Sequence, residues 1–188
     1  LLSAMVVAGG DPNRPQVRQC FGGGIEVAIA PRFADISDFR PVPDHQEVFA
    51  DGERDQSIIV EILERADVPD EECAAYFWND LAGANDAQVA SVQATRAVGA
   101  EEAPGLAPGC SCWAAVGTLR AAKHREATTR GADAENEVQV LLAAIRLPRA
   151  ETDILVSLNT PLVIGAGSSS AEAVGGAGPT LESWMQAQ

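Results

Sequence analysis

Apolar and polar residues alternate in several short blocks along this chain. Ile25, Val27 and Ile29 recur every second residue, which predicts a strand over 25–30, ended by Pro31. A second short strand is expected over 46–50, with Asp51-Gly52 as its closing turn. The stretch 57–64 also fits a helical stripe, because Ile58, Ile59, Ile62 and Leu63 fall on one side. Three consecutive β-branched residues, Ile58, Ile59 and Val60, decide for a strand, since their stiff side chains crowd a helix. Apolar groups on both of its faces place it centrally, covered on each side. Further strands are expected over 88–94, 112–119, 137–147 and 153–159, the last two joined by the hairpin-length piece 148–152.

Helical signals are fewer. Pro69-Asp70-Glu71-Glu72 predicts a helix start, with Asp70 as cap and the acids at the positive end of the dipole. Ala74, Ala75, Phe77, Trp78 and Leu81 continue the helix, and Gly83 is its expected stop. Phe77 and Trp78 are expected in the core on this helix, and Trp113 on a strand. Residues 35–39 predict a short helical turn capped by Asp35; Pro41 and Pro43 then force extended backbone, and Asp44 sits in a turn. Residues 99–109 read as a loop and 121–134 as a short helix or excursion. The expected organisation is an extension over 1–19, one domain over 20–164, a flexible Gly/Ala/Ser linker over 165–178 and a short helix or tail over 179–188. No internal repeat, signal peptide or membrane helix is expected.

Charge sharpens this outline. The chain of 188 residues has a formal net charge of −14. Between Asp35 and Asp86 stand fifteen acids opposed only by Arg40, Arg54 and Arg65, so this segment carries −12 of that total. Direct nucleic-acid binding is disfavoured, because phosphates would be repelled. A basic protein partner is favoured; the competing reading is a solvated face that keeps the chain soluble. Gly22, Gly23 and Gly24 precede a strand, which is the wrong order for a phosphate-cradling loop. Cys20, Cys73, Cys110 and Cys112 are irregularly spaced. A zinc site would need Cys110 and Cys112 plus, for example, His124 and Cys20, so ordinary reduced thiols are expected and no metal or cofactor. A hydrolase built from His45, Asp44 and Ser57, or from His124 with a cysteine, is disfavoured: no nucleophile elbow is present, and adjacent Asp44 and His45 do not easily orient one another.

The run Arg40-Pro41-Val42-Pro43-Asp44-His45-Gln46-Glu47-Val48-Phe49 follows Asp35-Ile36-Ser37-Asp38-Phe39 and leads into Asp55-Gln56-Ser57-Ile58-Ile59-Val60-Glu61. With Phe21-Gly22-Gly23, Ile145-Arg146-Leu147-Pro148 and Thr152-Asp153-Ile154-Leu155, these blocks resemble the Ran guanine nucleotide release factor family over about residues 21–161. The resemblance implies an α/β (α+β) fold of the PsbP-like kind, an antiparallel sheet of about six strands flanked by helices. It also implies a regulatory binding protein rather than an enzyme, a monomer that contacts the GTPase Ran, promotes nucleotide release, supports nuclear import and resides in nucleus and cytoplasm. The implied contacts are Glu61 and Glu64, with Asp35, Asp44 and Glu47 as weaker candidates. In a regular strand Glu61 and Glu64 point to opposite faces, so one patch requires the strand to end or twist near Leu63. Asp35 and Asp44 have a purely local reading as caps of turns, and Arg40 one as an ion-pair partner of Asp35 or Glu47. A PsbP-like assembly factor without GTPase binding is the alternative function.

Overall fold

A computed structural model describes residues 11, 13–122 and 132–172. Most of the first half of the expected extension, residues 123–131 of the expected excursion with His124, and the tail over 179–188 lie outside the described residues. Among the described residues are nine strands and one α-helix: β1 (Gln16–Cys20), β2 (Ile25–Ile29), β3 (Ala34–Asp35), β4 (Gln46–Asp51), β5 (Gln56–Glu64), α1 (Asp70–Ala84), β6 (Val89–Ala97), β7 (Ser111–Ala122), β8 (Glu135–Leu147) and β9 (Thr152–Val163). β1 and β2 form a separate hairpin. The other seven make one antiparallel sheet in the order β3-β4-β5-β9-β8-β7-β6.

The class agrees with expectation, while the strand count is higher than about six and one flanking α-helix stands among the described residues. β1 was hidden because its Gln16, Arg18 and Gln19 are polar, and it lies mostly inside the stretch read as an extension. Its turn into β2 uses Gly22 and Gly23 at φ 65° and 94°, a region that favours glycine. β3 has two residues, too few to show a period.

Two apolar clusters lie on opposite faces of the sheet. Side chains alternate, so Val140, Leu142, Ala144 and Leu155 share one face with Ala115 and Leu119. There they meet Cys73, Ala74, Phe77, Trp78 and Ala82 of α1. Trp78 lies on Gly117, where a Cβ would collide with the indole and with the Ser91 carbonyl. Phe49, Ile58 and Leu158 belong to the other face, where Cys20, Ile29 and Phe33 cover them. β5 thus has a covered face on each side, as its two-sided apolar pattern predicts.

Three local expectations change. α1 begins at Asp70 itself, with Pro69 at the cap position, whose ring has no acceptor to offer, while the Asp70 carboxylate accepts from Ser111 and Arg146 instead of capping. The helix runs through Gly83 and stops at Asn85, whose amide reaches back to Leu81 and Gly83. The first part of the expected linker is packed: Ser168 and Ser170 are buried, and Asn136 binds the Gly165 amide and the Ser168 hydroxyl. Glycine serves at 165 for closeness rather than flexibility, since a Cβ there would meet the Asp133 and Glu135 carbonyls.

Candidate functional site

β5 pairs with β9 without a register shift from Ser57 opposite Asn159 to Glu64 opposite Thr152. Its side chains therefore alternate to the end. Glu61 shares the helix-bearing face with Leu63 and Leu155, and Glu64 belongs to the hairpin-bearing face with Ile58. The condition for one patch on one face is not met; the two carboxylates flank the end of the sheet from opposite sides.

Their surroundings differ as well. Glu61 is half-buried, accepts a hydrogen bond from Gln46 Nε2 at 2.7 Å and stands 3.5 Å from His45 Nε2. Gln46 is its register partner on β4, so strand pairing brings the two together. Glu64 is exposed. Glu47 Oε1 accepts from the Phe21 amide at 2.7 Å and so ties the hairpin turn to β4. Asp35 accepts from the Ser37 amide at 2.8 Å and from its hydroxyl at 2.7 Å, the capping expected of it. Asp44 is exposed in the turn before β4, and the neighbouring His45 carbonyl accepts from the Ile62 amide at 2.9 Å. The fold thus gathers Asp44, His45, Gln46 and Glu61, sets Glu64 across the same sheet end, and uses Asp35 and Glu47 as internal fastenings. Arg40 is exposed and pairs with neither Asp35 nor Glu47.

Beyond Glu64 the chain turns into α1 through residues 65–69. This connector walls an open concavity of about 820 Å³ whose lining includes Glu64, Arg65, Asp67, Glu151 and Thr152. Glu151 was not legible as a neighbour of Glu64, because 87 residues separate them and only the β5–β9 register joins them. It holds a left-handed conformation at φ 49°. The connector is fastened from below by Arg146, which is 0% exposed and hydrogen-bonded to Asp153, also 0% exposed. The same guanidinium binds Asp70 Oδ1 at 3.0 Å, the Val68 carbonyl at 2.5 Å and the Ala66 carbonyl. The Ser111 hydroxyl on Asp70, reinforced by the Arg146 charge, holds the Asp70 carboxyl below the usual carboxylate range.

The four cysteines are free, and burial pushes the Cys73 thiol up to about 11. Among the described residues no group of three or more potential ligands could hold a metal. No helix among them is long and apolar enough to cross a membrane.

Comparisons with known proteins agree on one family. Residues 18–161 match the family described as Mog1, Ran-interacting Mog1 protein. A protein named Ran guanine nucleotide release factor, from Danio rerio, is 37% identical over 82% of this chain and 82% of its own length. The Schizosaccharomyces pombe protein named nuclear import protein mog1 is 32% identical over 77% of this chain and 76% of its own. The crystal structure titled as the Saccharomyces cerevisiae Ran-binding protein Mog1p superposes with a TM-score of 0.59 at 25% identity, covering 79% of this chain and 78% of that one.

Proposed function

The chain belongs to the Ran-interacting Mog1 protein family, and from that premise we propose that it binds a Ran-type small GTPase and promotes release of its guanine nucleotide, in support of nuclear protein import. The observation that carries this reading is the naming of relatives that match most of the chain as release factors and nuclear import proteins. The charge distribution supports it. A GTPase holds phosphate and magnesium with lysine, hydroxyls and backbone amides. Carboxylates on a partner pair with basic groups around that site and favour the nucleotide-free state. This is a shift of population through differential binding, and the nucleotide leaves chemically unchanged.

The surface proposed for the contact is the acidic end of the sheet. Glu64 leads it, because it is exposed beside the concavity and has no competing partner among the described residues. Asp44 is equally accessible. Glu61 contributes less, since Gln46 and His45 already hold it. Asp35 and Glu47 are assigned to structure rather than contact. The protein acts as a monomer moving between nucleus and cytoplasm.

Release of a fluorescent guanine nucleotide from Ran tests the reading. The wild-type chain accelerates release. Glu64→Lys weakens the interaction about tenfold or more, which corresponds to about 1.4 kcal/mol, and Glu61→Lys weakens it less. Acceleration that survives both substitutions would move the contact elsewhere. Absence of any release or binding would remove the function.

A further inference from the structure

The blocks around Arg146 and Asp153 are among those that carry the resemblance, yet the contact surface above uses neither. Arg146 cannot touch a partner, because its side chain is wholly enclosed. Its bonds lead to the one irregular segment between β5 and α1. Nη1 donates to the Val68 carbonyl and to Asp70, Nη2 donates to the Ala66 carbonyl, and Nε donates to Asp153 Oδ1 at 3.2 Å. Asp153 Oδ2 in turn accepts from the Ala66 amide at 2.9 Å, and the Glu151 carbonyl accepts from the Arg65 amide at 3.0 Å. The backbone that follows Glu64 is thereby pinned at residues 65, 66 and 68, and α1 is pinned at its first residue.

Burying an ion pair is a poor way to add stability, because desolvation offsets most of the attraction and a well-packed apolar pair often does as well. A guanidinium does offer five donors in a rigid fork, which fixes direction as an apolar side chain cannot. We infer that Arg146, oriented by Asp153, is a positioning residue for the partner-binding surface: it sets the connector 65–69 and so the placement of Asp67 at the rim of the concavity, beside Glu64. This rests on the Ran-binding reading.

The test replaces the pair by apolar residues, Arg146→Met together with Asp153→Leu, so that the core stays filled but the fork is lost. Arg146→Lys is the second variant, retaining the charge without the fork. Each is compared with wild type in binding to Ran and in nucleotide release, at a temperature where all are folded. Hydrogen exchange is read at the Arg65 and Ala66 amides and at those of Val140 and Leu142. The expected result is a thermal midpoint near wild type for the apolar pair, unchanged protection at Val140 and Leu142, faster exchange at Arg65 and Ala66, and binding weakened about tenfold. Arg146→Lys shows the same local loosening with a smaller loss of binding, and serves alone if the apolar pair does not fold. Variants that bind like wild type would overturn the inference while leaving the function intact. A wild-type chain that does not bind Ran would remove the function and this role with it.

Discussion

The two faces of the seven-stranded sheet are held by different forces. On the helix side, Trp78, Phe77, Leu142 and Val140 interlock, and the buried Trp78 indole N–H has no acceptor among the described residues. Away from the Arg146–Asp153 network at the start of α1, dispersion and exclusion of water do the work there, and shape decides what fits. The hairpin side has a smaller apolar cluster closed by directed polar bonds. Glu47 holds the Phe21 amide. Arg32 binds Asp51 at 2.6 Å and Gln56 at 2.7 Å, and Gln56 continues to Thr160 at 3.1 Å. A change beneath the middle of α1 leaves a void, whereas a change on the second side leaves a buried polar group without its partner. Glu47 and Asp51 of the acidic segment are engaged on the second side, so part of its charge is already spent internally, and the acids free for a partner are fewer than the composition implies.

Removing the largest side chain of the helix side should break the comparison most forcefully. Trp78→Ala is expected to lower stability by about 3–5 kcal/mol, the range for a buried aromatic, measured by urea denaturation. A loss below about 1 kcal/mol would mean that shape matters little on that face.

On the hairpin side, Asp51→Asn is expected to cost about 1.5–3 kcal/mol at pH 7, the range for hydrogen bonds to charged groups. Its pH dependence separates charge from packing. Burial alone would raise the Asp51 carboxyl, but hydrogen bonds from Arg32, Arg54 and the Glu53 amide outweigh it and leave it below the usual range. A carboxyl lowered in the folded state adds stability that is present above its unfolded pKa of about 3.9 and is lost as pH falls through the folded value. The thermal midpoint of the wild type should thus hold steady from neutral pH to about pH 5 and drop below about pH 4. Asp51→Asn makes that drop shallower, and an unchanged acid limb would remove the ion pair from the account.

The smallest effect is expected at Glu47→Ala, about 1 kcal/mol for one hydrogen bond. Amide exchange should rise at Phe21 while residues in β8 stay protected. Exchange rising equally in both places would show that hairpin and sheet do not respond separately.

Most strands were legible because a two-residue alternation is a local property. Ile25, Val27 and Ile29 show it plainly, the β-branched trio at 58–60 marks a strand by its stiffness instead, and the charge excess over 35–86 needs only counting. The Asp35 cap was legible too, since its partner Ser37 is two residues away. What the sequence did not disclose depends on distant partners. Asp70 reads as a cap until the fold brings Ser111 and Arg146 to it. Glycines at 165 and 167 read as linker until Asp133 and Ala134 are set against them.

By itself, then, the sequence determined the strand periods, the one clear helix, the acidic imbalance and the family. Tertiary structure alone decided which carboxylates are free. It closes Glu47 on an amide 26 residues earlier, joins Gln56 to Thr160 across 104 residues, and leaves Glu64 open. The physical reason is that alternation is written in neighbouring side chains, while the partner of a polar group is whichever segment the folded chain carries to it.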